Sequence, residues 1–280
     1  MSRGALLTHR LAGAVGAAIG SLYFAIRPSR RRIARRNLTL AFPERTEQAL
    51  EQIARDSFRH FGAAIFESFS LARMKPETIC RLASFENWHY LAEAEAESQG
   101  VIVMTAHLGV QELIGDAVAL YRGPMEIVAR PFSNATVDKT VRAMRQRFGN
   151  HLLPKRHAVR GMIRALDQGK RVAILIDQRV HPNQGVQVPF FGRPSWTSPL
   201  PAQLSLRSGV PVVPLFAYRN RGGRYRIVAH PPIRPTNPTR SRPDASEVVA
   251  LTTRYSEVTE AAIRRELEQW LWMHDRWRRH

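Results

Sequence analysis

The stretch VIVMTAHLGVQE, residues 101–112, indicates both the fold and the site of this chain. Its first six residues are mostly apolar and rich in Val and Ile, a pattern typical of a buried β-strand. His107 then stands where the strand ends, and Gly109 can take the unusual backbone conformation that a strand-to-helix turn often needs. Side chains five positions apart on one helix point about 140° away from each other. His107 and Glu112 can therefore meet only if His107 lies in the turn and Glu112 in the first helical turn.

His107 and Glu112 have the residue types of a general-base pair. A neutral histidine can take a proton from a hydroxyl group, while a carboxylate on its other ring nitrogen fixes the tautomer and stabilises the charged ring. The spacing alone is weak support, because the chain has ten histidines and 23 acidic residues. The position at a strand end is stronger support, since open α/β sheets bind ligands beyond the carboxyl ends of their strands.

Two further apolar segments end in polar groups in the same way. Residues 125–129 are followed by Arg130, and residues 171–176 by Asp177 and Gln178. If the three strands are parallel, a base, a cation and a carboxylate surround one crevice, which favours an active site. The alternative is that these polar residues simply begin loops.

Strands alternate with helical segments along the chain. This order predicts an α/β fold with a mostly parallel central sheet flanked by helices. A hairpin is predicted to turn at Gly222-Gly223. The longest helices are predicted over residues 46–73, 86–99 and 244–277.

The composition limits the class of protein. A length of 280 residues fits one large domain or two small ones, and 44% hydrophobic residues excludes a disordered chain or a polytopic membrane protein. Cys80 is the single cysteine, which excludes an intrachain disulfide framework and a cysteine-based zinc site. The formal net charge of +19 predicts an anionic partner, which is nucleic acid, anionic lipid or an acidic protein.

The N-terminal segment predicts membrane association. Residues 11–26 carry no charge, but this run is shorter than the roughly 20 residues of a comfortable span. The Arg-rich residues that follow are the wrong flank for a cleaved signal peptide and suit anionic cytoplasmic headgroups. We therefore expect an N-terminal membrane-associated helix with its basic flank over residues 1–36 and a catalytic domain over residues 37–280. A helix buried in a soluble core is the alternative.

Two aromatic segments allow more than one interpretation. Residues 188–191 with Trp196 are either a lid over an acyl chain or ordinary packing. Trp270 and Trp272 precede several arginines, a mixture that suits a membrane interface, stacked nucleic-acid bases or a packed amphipathic helix. No GxSxG motif is present, which disfavours a covalent serine mechanism.

The ordered set of motifs over about residues 30–277 resembles the bacterial lipid A late acyltransferases, a family that includes lauroyl and myristoyl transferases. The resemblance is carried by RRNL with FPE at 35–44, TAHLG at 105–109 with Glu112, Arg130-Pro131 with Asn134 and Asp138, Asp177-Gln178, VPFFG at 188–192 with Thr197, residues 203–214, and WLWMH at 270–274.

The resemblance implies transfer of a fatty acyl group from a thioester of acyl carrier protein, or of CoA, to a hydroxyl of a lipid A precursor. On this reading His107 is the base, Glu112 holds it, and no acyl-enzyme forms. Arg130, Asp177 and Gln178 would bind substrate, and no metal or other cofactor is expected. The expected location is the cytoplasmic face of the bacterial inner membrane. Another glycolipid or a lysophospholipid is the alternative acceptor, and a nucleic-acid-binding protein is a more remote alternative.

Overall fold

The structure of the protein is a computed structural model that describes residues 3–129, 132–154, 158–239 and 241–278. The helices of these residues are α1 (Arg3–Ile26), α2 (Pro28–Ala41), α3 (Glu47–Leu71), α4 (Pro76–Leu82), α5 (His89–Glu97), α6 (Glu112–Arg122), α7 (Ala135–Gln146), α8 (Ala158–Asp167), α9 (Leu200–Ser208) and α10 (Ala245–Arg265). The strands are β1 (Ala83–Glu86), β2 (Val101–Thr105), β3 (Met125–Ala129), β4 (His151–Pro154), β5 (Arg171–Leu175), β6 (Val186–Phe190), β7 (Arg193–Thr197), β8 (Val212–Asn220) and β9 (Arg224–Ala229).

Seven strands form one sheet in the order β1-β9-β8-β2-β5-β3-β4. The β8–β9 hairpin pairs antiparallel, and the other neighbouring strands of this sheet pair parallel. The predicted α/β fold with a mostly parallel sheet and flanking helices is thus confirmed, as is the hairpin that turns at Gly222-Gly223. Strands β6 and β7 form a separate antiparallel pair.

Strand β2 lies inside this sheet and is buried on both faces. Val101 and Val103 join the core cluster that contains α6 residues, and Ile102 and Met104 join the cluster on the opposite face with α8 and α9 residues. Burial on both faces explains why the sequence here is continuously apolar instead of alternating. The site segment therefore begins at the end of a fully buried strand.

Helix α1 packs along α3 through closely approaching glycines. A Cβ added to Gly16 would lie 2.3 Å from the carbonyl oxygen of Gly62, so the two backbones are in direct contact. The opposite face of α1, which we call the apolar face, is 45–62% exposed and consists of Leu7, Leu11, Val15, Ile19, Leu22 and Ile26. A helix with such an exposed face is not a core helix, and the residues Gly4–Ile26 are long and apolar enough to cross a membrane.

Both halves of α1 contact the domain. Near its start, Nε2 of His9 lies 2.7 Å from the hydroxyl of Tyr225, and Nε of Arg10 donates to the carbonyl of Gly222 at 2.9 Å. Near its end, the rings of Phe24 and Phe58 meet edge to face with centroids 5.1 Å apart. The helix therefore lies against the domain along its length, and the predicted boundary between residues 36 and 37 falls within α2.

Two of the predicted helices differ from the observed ones. The helix predicted over 86–99 is shorter in the structure, because Glu86 is the last residue of β1 and α5 spans only His89–Glu97. The helix predicted over 244–277 ends at Arg265, because Trp270 must form a bridge with Leu108 beside the site. Tertiary contacts override the local helical pattern in both places.

The aromatic segments are packing elements. Val188, Phe190 and Phe191 are buried, and the hydroxyl of Ser256 in α10 donates to the carbonyl of Pro189 at 2.7 Å. Trp270 and Trp272 are also buried. Of the alternatives for these segments, ordinary packing is the one that the structure supports.

Candidate active site

The turn after β2 is fixed by backbone contacts with two other segments. The N–H of Gly109 donates to the carbonyl of Gln269 at 2.9 Å, and the N–H of Val110 donates to that of Ala217 at 2.8 Å. Gly109 has φ +63°, and a Cβ added there would lie 1.8 Å from the Ala217 oxygen. Only glycine fits both the conformation and the space, as the sequence predicted.

His107 and Asp177 meet because their strands are neighbours in register. Thr105 of β2 pairs with Leu175 of β5, and the two functional residues lie two positions further along each strand. Nδ1 of His107 is 2.9 Å from Oδ1 of Asp177, and the His107 backbone N–H donates to Oδ2 at 3.0 Å. The two contacts fix the direction of the imidazole ring. Asp177 is buried, so this direction is set inside the protein.

The second nitrogen of the ring faces the cleft. With Nδ1–H donating to Asp177, Nε2 of His107 has a free lone pair, and the Gln178 amide donates to it at 3.1 Å. The His107 side chain is 27% exposed, whereas that of Asp177 is 2% exposed. An acceptor hydroxyl can therefore reach Nε2 if it replaces the Gln178 amide.

The pair shifts the pKa of both partners. Burial disfavours the charged form of His107, but the charge and the hydrogen bond of Asp177 outweigh burial and raise the pKa of His107 above 6.5. Burial also disfavours the Asp177 carboxylate, but the nearby His107 charge and the hydrogen bonds from His107 and Trp270 lower the pKa of Asp177 to about 2. The Asp177 carboxylate is thus ionised near neutral pH.

Glu112 binds a different partner from the one predicted. As the first residue of α6, it accepts two hydrogen bonds from Arg145 of α7, at 2.9 Å from Nε and 2.5 Å from Nη2. Within the part of the chain that the structure describes, Glu112 and His107 form no hydrogen bond with each other. The carboxylate that holds the ring is Asp177, for which the sequence suggested a substrate contact or a structural role in orienting Arg130 or holding a loop. The Glu112 charge still contributes to the raised pKa of His107, so the two side chains are near each other.

Of the other predicted site residues, the structure places one beside His107. Gln178 contacts His107. Arg130 lies outside the described residues. Two further residues contact the site without having been predicted there. Arg145 binds Glu112, and the indole N–H of Trp270 donates to Asp177. Helix α7 carries both Arg142 and Arg145, and no local pattern in the sequence distinguishes the one that pairs with Glu112.

A cavity of about 700 Å³ adjoins His107, Glu112 and Gln178. Most of its other walls are apolar, and Arg145 supplies a cation. A base, a cation and apolar walls suit an amphipathic ligand that carries both a hydroxyl or acyl group and a hydrocarbon chain.

Residues 4–279 match the model of the family described as bacterial lipid A biosynthesis acyltransferase. The chain is 27% identical to a lipid A biosynthesis acyltransferase of Haemophilus influenzae, with 94% of this chain and 83% of that protein aligned. It is 25% identical to the lipid A biosynthesis lauroyltransferase of Escherichia coli K12 and 27% identical to the palmitoleoyltransferase of that organism. Each of these alignments covers 94% of this chain and 84% of the relative. The match therefore extends over the whole fold and includes the site.

Proposed function

Because this chain belongs to the bacterial lipid A biosynthesis acyltransferase family, we propose that it transfers a fatty acyl group from acyl carrier protein to a hydroxyl of a lipid A precursor. It is an acyltransferase of lipopolysaccharide synthesis. The donor, the acceptor hydroxyl and the mechanism are the proposed parts. The observation that carries the mechanism is His107, whose Nδ1 is held by a buried carboxylate while Nε2 faces the cleft.

In the proposed reaction His107 is a general base. The acceptor hydroxyl replaces the Gln178 amide at Nε2 and gives its proton to that nitrogen as its oxygen attacks the thioester carbonyl carbon. The new C–O bond forms, the C–S bond breaks, and the imidazolium returns the proton to the leaving thiolate. Asp177 stabilises the charged ring throughout. The raised pKa of His107 makes it a stronger base than an isolated histidine.

We propose that Glu112 acts through Arg145. The two hydrogen bonds hold the guanidinium group at the cavity wall. A fixed cation there can attract a phosphate of the acceptor lipid or the negative charge that develops on the carbonyl oxygen. Glu112 is then a positioning residue, and Arg130 remains a proposed second cation for the same groups.

The net charge supports an acidic donor protein. A chain with a formal charge of +19 attracts both anionic lipid and an acidic carrier protein. We propose acyl carrier protein as donor and, because the phosphates of CoA are anionic as well, compare the two thioesters directly in the test below.

We propose that α1 lies in the cytoplasmic leaflet of the inner membrane instead of crossing it. The helix is held against the domain at His9 and at Phe24, so a crossing would carry the β8–β9 turn into the bilayer. Its apolar face is exposed, and α3 exposes Phe61, Ile65 and Phe69. An amphipathic helix lying in the membrane surface buries such a face while the arginines of α2 meet anionic headgroups.

The test uses the full chain purified in mild detergent, with His107→Ala as the comparison. Lauroyl thioesters of acyl carrier protein and of CoA are each offered with a hydroxylated lipid A precursor and with a lysophospholipid. We expect product from the carrier-protein thioester and the lipid A precursor, and a loss of roughly a hundredfold or more in His107→Ala. Product on the lysophospholipid alone would reject the acceptor, and full activity in folded His107→Ala would reject the mechanism.

A further inference from the structure

The cavity beside His107 passes through the plane of the sheet. The pairing of β3 with β5 ends at Ile127–Ala173, whereas β5 continues along β2 as far as Leu175 and β3 continues along β4 as far as Ala129. The two strands therefore separate at their carboxyl ends. This separation lets one cavity reach both faces of the sheet.

The lining residues divide accordingly into two arms. The α6 arm is lined by Ile114, Gly115, Met125, Ile127 and Ala173, on the face of the sheet covered by α6. The α8 arm is lined by Ala158, Val159, Met162, Ile174, Leu200 and Gln203, on the opposite face.

Both arms have a buried part, since Met162 and Ile174 of the α8 arm are also at most 7% exposed, and the arms differ at the outer end of the α8 arm. In the α6 arm Ile114, Met125 and Ala173 are at most 7% exposed. In the α8 arm Val159 is 47% exposed, and this residue also lines a separate groove of about 610 Å³ that extends to α10. The α6 arm is thus the enclosed one, suited to the end of a chain, and the α8 arm leads outward.

Gly115 leaves space in the enclosed arm. It lies inside α6 with no positive φ, so its backbone does not require glycine. A Cβ built there would meet only ordinary contacts, 3.6 Å from Nδ2 of Asn150 and from Cδ1 of Ile127. Glycine inside a helix is less favourable than alanine. Neither backbone nor packing requires this glycine, and its effect is to widen the arm.

Two of the three polar side chains near the arm, Asn150 and Asp116, already have protein partners, whereas the buried hydroxyl of Thr105 at the cavity wall has none among the described residues. Asn150 accepts from the N–H of Met125 at 2.8 Å and donates to the carbonyl of Gly115 at 3.0 Å. Asp116 forms an ion pair with Arg147, which also donates to the Leu71 carbonyl at 2.6 Å. A ligand in the arm therefore meets mainly apolar surface, which selects an alkyl chain without polar groups.

We propose that the α6 arm binds the end of the acyl chain of the donor, and that Gly115 and Ile127 set the chain length that the enzyme transfers. This inference rests on the proposed acyl transfer. The chemistry of the arm fits any unbranched alkyl chain, from the donor or from the acceptor. The donor chain is preferred because it can enter an enclosed arm by its free end, whereas the chains of the acceptor belong to a bulky lipid that needs the outward α8 arm.

The test compares donor chain lengths in Gly115→Leu and Ile127→Phe. Carrier-protein thioesters of decanoic, lauric, myristic and palmitic acid are assayed with one acceptor. We expect decanoyl transfer to be retained and kcat/KM for longer chains to fall about fourfold for each methylene that loses its place. Gly115→Ala should fold at least as stably as wild type and give a small shift in the same direction. Ala119→Leu, one turn further along α6 and not among the lining residues, is the matched control and should keep the wild-type profile.

Two outcomes would overturn the proposal while acyl transfer stands. One is that Gly115→Leu and Ile127→Phe are active and keep the wild-type preference for donor chain length. The other is a donor profile that changes in Val159→Trp but not in Gly115→Leu, which would assign the donor chain to the α8 arm. If the acceptor chain occupies the α6 arm, Gly115→Leu changes the preference for acceptors of different chain length and not for donors.

Direct binding separates this inference from the proposed function. Binding of the fluorescent fatty acid cis-parinaric acid is measured on the same variants without donor or acceptor. We expect binding to weaken in Gly115→Leu and Ile127→Phe and to be kept in Ala119→Leu, even if no transfer assay gives product. Equal binding by all variants would overturn the α6 arm as an alkyl-chain site.

Discussion

The indole N–H of Trp270 donates to Oδ2 of Asp177 at 2.9 Å, across 93 positions of sequence. The same oxygen accepts from the backbone of His107, and Oδ1 accepts from the His107 ring. Both oxygens of this carboxylate are therefore occupied by protein donors. A carboxylate bound in this way cannot rotate freely, so the direction of the imidazole ring is fixed before any substrate arrives.

Asp177→Asn should move the pH dependence of activity. With the negative charge removed, burial is left as the main influence on the ring, so the pKa of His107 should fall from above 6.5 to below it. The acid limb of kcat/KM should shift to lower pH, while the plateau falls by roughly a hundredfold or more. The measurement is kcat/KM against pH. Trp270→Phe is the control, and it should cost about tenfold or less because it removes one hydrogen bond and no charge. An acid limb that stays in place would contradict the assignment of Asp177.

The same pair should make folding stability depend on pH in two directions. Because the pKa of His107 is raised on folding, its contribution to the free energy of unfolding is fully present below pH 6.5 and is lost as the pH rises through the raised pKa. Because the pKa of Asp177 is lowered on folding, its contribution to the free energy of unfolding is fully present above pH 3.8 and is lost as the pH falls towards about 2. The stability advantage of wild type over Asp177→Asn, measured by urea unfolding, should therefore be greatest in the interval between these limits. A constant difference at all pH values would show that the charges are not coupled.

Glu112 and Arg145 should behave as a unit. The side chains are 23% and 22% exposed, so removing either leaves a partly buried charge without its partner. In a double-mutant cycle of Glu112→Gln and Arg145→Gln we expect a coupling of about 1 kcal/mol in transition-state stabilisation. The surface pair Glu260 and Arg264 is the control and should show little coupling in activity. If Glu112→Gln alone shifts the acid limb as Asp177→Asn does, Glu112 acts on His107 directly.

Gly16→Leu should weaken the packing of α1. The added side chain meets the Gly62 backbone at a distance no Cβ can occupy, and overpacking of this kind costs about 1–3 kcal/mol. We expect a lower Tm and faster proteolysis within α1. Gly4→Leu is the matched control, because a Cβ at Gly4 has nothing within 4 Å. Equal stability of the two variants would argue against direct backbone contact.

Leu11→Asp with Ile19→Asp should reduce membrane binding without unfolding the protein. Both side chains belong to the apolar face, and a charge there opposes burial among acyl chains. The measurement is co-sedimentation with liposomes of phosphatidylethanolamine and phosphatidylglycerol. Val249→Asp, which charges an exposed valine on α10, is the control and should bind as wild type does. If the α1 variant binds liposomes as strongly as wild type, the apolar face does not have the membrane-binding role that we propose.

Sequence patterns predicted the parts of the site that depend on one strand and its turn. The local composition of buried parallel strands predicted β2 and the strand before Asp177. The glycine at position 109 predicted the turn that follows β2. The partner of His107 did not follow, because a spacing of five residues suggested Glu112 while register across two strands selects Asp177. Trp270 was also beyond prediction, since its contact depends on where a segment after α10 crosses the sheet.

The contact between Trp270 and Asp177 also determines when the site can exist during synthesis. Helix α1 leaves the ribosome first, whereas Trp270 follows every other residue of the site. At roughly 5–20 residues per second, on the order of ten seconds or more separate the two events. In that interval the nascent chain exposes the apolar face of α1, while Asp177 still lacks the hydrogen bond from Trp270. If α1 binds the membrane as we propose, the chain reaches the membrane before this last hydrogen bond to Asp177 forms.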